Sequence, residues 1–364
     1  MKFALVGVGG AGCRLVDQIL QVEQGSDRSF SGGNVLAYDT DKSVFETLDA
    51  VPLDRHVLVG DTHEALGGTG TDGDIDQAAA VAQEDRDELH REFDKLDLHE
   101  MDAVFVVAGL GGGTGGGVGP VIVEALTSVS ELPIYVLGVL PTKAENGSVT
   151  LNAARSLQSF VTHGDNTILF DNESWYDEES PLAEQYGTLN ETIAQRLLAV
   201  FAAGERQSAD IAENRLDTSD VMRIMETGGV STLGYAETDV HNPTTLFQRL
   251  RALFRNGEED TTDAIRIKAL VKEAAESELT LPCDRSSTER ALVVLSGPPH
   301  LCSRKGFEKA RQWLEEETDT VVVLAGDEPR PTADDLRVAV LFSNVTTVPR
   351  IEALKEDAVL AETS

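Results

Sequence analysis

One stretch constrains this chain more than any other: VFVVAGLGGGTGGGV, from Val104 to Val118. Val104–Val107 is a β-branched and aromatic run of the kind found in buried strands. It passes through Ala108, Gly109 and Leu110 into Gly111-Gly112-Gly113-Thr114-Gly115-Gly116-Gly117. VGPVIVEALTSV then has the pattern of a helix, with Pro120 in its first turn, where a missing N–H costs little. Strand, glycine loop and helix together suit an anion. Glycines let backbone N–H groups approach closely, and the positive end of the helix dipole faces the same point. A flexible linker is the alternative, but a linker has no reason to lie between a buried strand and a helix. The loop is not a P-loop, because no Gly-Lys-Ser/Thr closes it.

Upstream, residues 2–7 predict a first strand and Gly7-Val8-Gly9-Gly10-Ala11-Gly12 a turn, followed by a helix over Cys13–Leu20. The G-x-G-x-x-G spacing satisfies a dinucleotide fingerprint, a weak signal alone, and it keeps an NAD(P)-binding oxidoreductase open. Val35–Tyr38 is the next strand. It ends at Asp39-Thr40-Asp41, where an acid either contacts a ribose or caps the following helix. His56–Leu58 is a short strand. Gly67–Gly73 is a second polar glycine loop, wrapping a terminal phosphate or forming a surface turn, and a long acidic helix over Ile75–Asp94 follows.

Downstream of the central loop come a strand at Ile134–Leu140, a loop through Glu145 to Gly147, a helix at Asn152–Val161 and a strand at Thr167–Phe170 that ends in Asp171-Asn172. Strand and helix alternate, which predicts a doubly wound parallel sheet with ligands at the carboxyl ends of the strands. Residues 173–185 are a polar break. A long helix then runs from Tyr186 towards Ile211, with Leu189, Ile193, Leu197, Val200 and Phe201 at helical spacing. The second half has helices at Asp220–Thr227, Pro243–Asn256, Asp263–Ser277 and Arg304–Glu317. Its strands are Val230–Ala236, Ala291–Ser296, Thr320–Ala325 and Leu336–Phe342, an α+β domain with one sheet. The expected organisation is a nucleotide domain at 1–185, a core helix at 186–213, the α+β domain at 214–345 and a short tail at 346–364.

The chain carries 63 acids against 30 bases, a net charge of −33. That argues against a nucleic-acid binder, which needs basic stripes to neutralise phosphates, and against attraction to anionic lipid. It fits a salt-rich cytoplasm, where the Debye length is roughly 3 Å at 1 M and self-repulsion is screened. Three cysteines without paired spacing and seven histidines without a cluster indicate a reducing interior, no disulfide and no zinc site. No apolar run reaches ~18 residues, so no membrane insertion is expected, and the N-terminus enters a strand rather than a signal peptide.

Several separate places agree with one family. The chain resembles the tubulin/FtsZ superfamily of polymerising GTPases to about residue 345, with the archaeal CetZ group as the most similar branch. GVGGAG at Gly7–Gly12 is similar to the first nucleotide loop, GGTGTDG at Gly67–Gly73 to the loop that senses the γ-phosphate, and GGGTGGG at Gly111–Gly117 to the superfamily signature. Tyr186-Gly187-Thr188-Leu189-Asn190 looks like the tubulin YGDLN segment. Asn214, Asp217 and Asp220 resemble the synergy loop, although N-R-L-D is one residue longer than N-x-D.

The resemblance implies a Rossmann-like, parallel-sheet GTPase domain, a long core helix and a smaller α+β domain. It implies GTP or GDP held with Mg²⁺, by Gly9, Gly10, Ala11, Gly12, Cys13 and Arg14, by Gly68, Thr69 and Gly70, and by Gly109, Gly112, Gly113, Thr114, Gly115 and Gly116. Asp39 and Glu145 would serve the ribose. Tyr186 would stack on guanine, with Asn190 and Asn172 at its edges; an aromatic and an Asn four apart share one helix face. Catalytic Asp217 and Asp220 would come from the next subunit, because about 25 residues of helix at 1.5 Å each span nearly 40 Å. The implied partner is a second copy of the chain in a head-to-tail homopolymer, in the cytoplasm, with a cell-shape role. The family's adaptor-binding tail is not recognisable. A weakly hydrolysing nucleotide-dependent scaffold is the other alternative.

Overall fold

A computed structural model describes residues 1–26, 29–63, 66–145, 147–202, 216–239 and 259–363. The chain divides into two compact units. One holds residues 2–195, 228–230 and 348–364; the other holds 196–227 and 231–347.

The first unit is built on six parallel strands: β1 (Phe3–Val8), β2 (Val35–Asp39), β3 (His56–Leu58), β4 (Ala103–Gly109), β5 (Ile134–Leu140) and β6 (Asn166–Asp171). They lie in the order β3-β2-β1-β4-β5-β6. Apart from Gly109, every residue of β1, β2, β4, β5 and β6 is buried. Continuous apolar runs such as ALVGV and VFVVA belong in a sheet covered on both faces.

The register decides where a ligand can bind. Val8 lies opposite both Tyr38 and Ala108, Gly109 opposite Val139, and Leu140 opposite Asp171. The carboxyl ends of five strands therefore form one row. Strand order reverses between β1 and β4, the place where an open α/β sheet leaves a crevice.

The covering helices are α1 (Gly9–Gln24), α2 (Lys42–Phe45), α3 (Ile75–Glu84), α4 (Arg86–Glu92), α5 (Gly113–Val129), α6 (Gly147–His163), α7 (Asn172–Trp175) and α8 (Leu182–Phe201). Several expectations change: α6 begins at Gly147 rather than Asn152, and α8 at Leu182 rather than Tyr186, within the expected polar break. The glycine runs do not precede their helices: α1 starts at Gly9 rather than Cys13, and α5 at Gly113 rather than Val118. Tertiary packing overrides the poor helix propensity of glycine; a Cβ on Gly12 would stand 2.1 Å from Val107 O. The long acidic helix is two helices. The break is at Asp85, whose carboxylate accepts from Gly60 N at 2.8 Å and faces His63 at 3.3 Å. Nor is the segment beyond Arg350 a tail. Residues Pro349–Thr363 form a C-terminal helix packed on α6, with Ile351, Leu354 and Ala358 buried along a heavily charged sequence.

The second unit carries a mixed sheet of β7 (Val230–Asp239), β8 (Arg290–Gly297), β9 (Val323–Pro329) and β10 (Asp335–Ser343), ordered β7-β10-β8-β9. β10 is antiparallel to β7 and β8, and β8 is parallel to β9. Its helices are α9 (Thr218–Met225), α10 (Glu259–Glu276) and α11 (Arg304–Thr318). The strand expected from Thr320 starts at Val323, because the Thr320 hydroxyl donates to Glu289 O at 2.6 Å and accepts from Val322 N at 3.2 Å, making a turn first. The expected helix Pro243–Asn256, the end of the core helix and Asn214 lie outside the described residues. Among the described residues, no helix is long and apolar enough to cross a membrane.

Candidate functional site

Over the row of strand ends lies a cavity of ≈ 580 Å³, within the size range of small-molecule sites. Its walls include Gly9, Gly10, Ala11 and Arg14 from α1, and Gly109, Gly112, Gly113, Thr114 and Gly115 from the end of β4 and the start of α5. The first N–H groups of a helix have no intrahelical partner. At both α1 and α5 no side chain caps them, and neither first turn contains an acid. In a chain with 63 acidic residues, two bare helix starts therefore converge on one space, each presenting the positive end of its dipole.

Close backbone approach holds the two starts together. Gly9 has φ +74°, and a Cβ there would lie 2.7 Å from Gly115 N. The hydroxyls of Thr40 and Thr114 stand 2.6 Å apart. The Gly67–Gly73 loop is docked beside them: Lys42 N donates to Gly68 O at 3.1 Å and Gly70 N to Thr40 O at 3.0 Å, with Thr69 bridged to Asp41. Asn152, buried on α6, spans both glycine loops, its amide donating to Gly73 O at 2.8 Å and Gly111 O at 3.1 Å. Thr71 is the nearest atom to a Cβ on Gly113, at 2.3 Å. Sequence reasoning did not single out Thr71 within the Gly67–Gly73 loop, and it missed Asn152, which belongs to no glycine motif.

The other end of the cavity differs in chemistry. Tyr186 and Asn190 reach it from α8, Asn172 from the end of β6, and Glu145 from the loop after β5. The Tyr186 ring is 40% exposed, and burial, then the nearby Glu145 carboxylate, pushes its hydroxyl pKa up. Burial raises the Glu145 carboxyl too, opposed by the Thr142 N–H that it accepts at 3.0 Å. Val139, Pro141, Val149 and Ala183 add apolar wall. An aromatic face, two amides and a carboxylate on an apolar wall suit a flat, polar-edged ring.

Some expected residues do not line the cavity. Gly12 and Gly116 are taken up in packing against β4 and α6. Cys13 is fully buried, its thiol donating to Tyr38 O at 3.4 Å, and burial holds its pKa well up. Gly68, Thr69 and Gly70 stand behind the threonine pair. Asp217 and Asp220 belong to the second unit, where they form a capping box at the start of α9. The Asp217 carboxylate accepts from Asp220 N at 3.0 Å, and the Asp220 carboxylate accepts from Asp217 N at 3.2 Å. Asp217 is exposed and Asp220 half-buried. Among the described residues no three of His, Cys, Asp and Glu come together to hold a metal.

Asp39 is 2% exposed beside the cavity, and its Oδ2 has no hydrogen-bond partner among the described residues. Burial pushes its carboxyl to about 6. A carboxyl raised on folding binds its proton more tightly in the native state, so it disfavours folding once deprotonated above that value. Asp39→Asn should therefore raise stability at pH 7.5 by between about 1 and 3 kcal/mol. It should also remove the stability that the parent gains as pH falls from about 6 towards about 4, read with the first effect from denaturant midpoints between about pH 4 and 7.5.

A family model for the tubulin/FtsZ family GTPase domain matches residues 2–179, and one for the tubulin-like CetZ C-terminal domain matches residues 179–360. Tubulin-like protein CetZ1 of Haloferax volcanii is 39% identical over 372 aligned residues, covering 100% of this chain and 93% of that protein. CetZ3 of the same organism is 41% identical, covering 99% and 92%. Among solved structures, the GDP-bound monomer of Haloferax volcanii CetZ1 superposes with a TM-score of 0.87 at 36% identity, over 100% of both chains. The GTPγS-bound protofilament of CetZ2 gives 0.85 at 32%, over 100% and 99%.

Proposed function

The chain belongs to the tubulin/FtsZ family, in its CetZ-like branch, and from that premise we propose that it is a GTP-hydrolysing cytoskeletal protein of the cytoplasm that stacks head to tail into filaments. The observation that carries this reading is the pair of uncapped, acid-free helix starts facing one glycine-walled cavity. The N–H groups of the first turns of α1 and α5 hold the phosphates, with Arg14 adding positive charge. Tyr186 stacks on the guanine while Asn172 and Asn190 meet its polar edges, and Glu145 faces the ribose. Among the described residues no acid or histidine cluster forms a metal cage, so a Mg²⁺ would be held chiefly by the bound phosphates and water, and it would supply neutralisation of charge on the transferred group. The match to a GTPase domain leaves the oxidoreductase alternative without support.

Phosphoryl transfer to water needs an oriented nucleophile beside the γ-phosphate. Among the described residues, Glu145, at the base end, is the one carboxylate that lines the cavity. Asp217 and Asp220 of a following subunit serve the phosphate end in this reading, and a head-to-tail contact that does not close generates a filament. The protofilament of the related CetZ2 supports such stacking. Control of cell shape is the cellular role this branch implies.

Light scattering at molar KCl tests the reading. Scattering rises when GTP is added but not with NADH, and phosphate release per subunit collapses on dilution below the assembly concentration. A rate strictly proportional to protein concentration through that range overturns hydrolysis in trans. GTP-dependent scattering without phosphate release would make the chain a nucleotide-gated scaffold instead.

A further inference from the structure

We infer that Arg350, on the C-terminal helix, is a positioning residue for the base-binding end of the cavity: its single guanidinium ties the ends of β5 and β6 together and so fixes where Asn172 stands. The inference rests on the nucleotide reading above. Arg350 does not itself line the cavity. Its Nη2 donates to Pro141 O at 2.7 Å, on the first residue beyond β5, and its Nε donates to Asp171 Oδ1 at 3.1 Å, on the last residue of β6. The two side chains are 10% and 2% exposed. Asp171 is held on its other sides as well. Its carboxylate accepts from Glu173 N at 3.3 Å and from the Ser174 hydroxyl at 2.9 Å, which caps α7.

The bonds grip the Pro141 carbonyl and the Asp171 carboxylate, and Pro141 itself and Asn172, the residue after Asp171, belong to the cavity wall. Burial alone raises the Asp171 carboxyl, and the guanidinium opposes that rise. Beyond the last ladder pair, Leu140 opposite Asp171, the chains are linked by an exposed tie, Lys143 N donating to the Glu173 carboxylate at 2.8 Å, and by the buried Arg350 bridge, which sits closer to the strand ends. The planar fork matters because its two nitrogens reach a carboxylate and a carbonyl at once. The compact ammonium of a lysine keeps the charge but does not reproduce that fixed two-point geometry.

The test uses the full chain with Arg350→Lys and Arg350→Ala, measuring equilibrium binding of GTP and of inorganic tripolyphosphate, with circular dichroism to confirm folding. Arg350→Lys should keep the parent spectrum and bind GTP about tenfold more weakly, the worth of one misaligned hydrogen bond. Tripolyphosphate, which meets only the glycine turns, should bind as it does to the parent. Arg350→Ala should lose more for GTP and leave tripolyphosphate unchanged if it folds. Unchanged GTP affinity in Arg350→Lys overturns the inference, as does an equal loss for both ligands, which would mark general loosening. A parent protein that binds GTP no better than tripolyphosphate would overturn the guanine reading, and this inference with it.

Discussion

Asp220→Asn protein should bind GTP as the parent does and hydrolyse it on the order of a hundredfold to ten-thousandfold more slowly, the range for loss of a positioned acid or base. Asparagine is a better choice than alanine because of the geometry at α9. The Asp220 carboxylate accepts from Asp217 N, and an amide oxygen can accept the same bond, so the capping box survives the substitution. Alanine would break that box and cost roughly 1 kcal/mol of stability, confusing chemistry with folding. Filaments of the Asp220→Asn protein should persist after GTP is added, since the switch to GDP is slowed. Turnover at the parent rate would remove Asp220 from the chemistry. Weakened GTP binding would place its role elsewhere.

Gly9→Ala should cost about 2–4 kcal/mol of stability and weaken GTP binding about a hundredfold. Two effects add. An L-residue held at a φ of +74° is strained by roughly 1–2 kcal/mol. The new Cβ would also lie 2.7 Å from Gly115 N and 3.0 Å from Gly115 Cα, so the start of α5 must move away from the start of α1 and the two sets of N–H groups no longer converge. Gly112→Ala is the instructive contrast. Its φ is −84°, and a Cβ there meets nothing within 4 Å, because that space is the cavity itself. That variant should melt within a few degrees of the parent and still lose nucleotide. Calorimetric binding and thermal melts of the two proteins separate a distorted cradle from an obstructed one. Full affinity in Gly112→Ala would move the phosphates away from the start of α5.

Every strand of both sheets was legible in the chain, because β-branched runs bounded by glycine and acidic turns have few other ways to fold. The shared end of those strands was legible too, since alternating strand and helix leaves the parallel arrangement as the simplest. What stayed hidden depended on contacts distant in sequence. Glycine's low helix propensity disguised Gly9–Gly12 and Gly113–Gly117 as loops, although packing on β4 and α6 makes both runs helical. The C-terminal helix carries Ile351, Leu354 and Ala358 three and four apart, but charged residues lie between them and Val359 and Leu360 stay exposed, and only its partner α6 shows which face is buried. Tyr186 and Asn190 could be placed on one face from their spacing alone. Asn152 and Arg350 could not, because each bonds groups distant in sequence, two carbonyls for Asn152 and a carbonyl and a carboxylate for Arg350, that no sequence pattern pairs with it. Asp217 and Asp220 were legible as a pair of acids three apart, and the same spacing also encodes a helix cap.

That double use has a mechanical meaning. Side chains that await a neighbour's ligand are ordinarily loose, and freezing them is part of the penalty of association. In the proposed filament, the capping box at the start of α9 would hold both acids in place before any second molecule arrives. A docking subunit would meet a finished instrument rather than assemble one, and fraying of that short helix would blunt it.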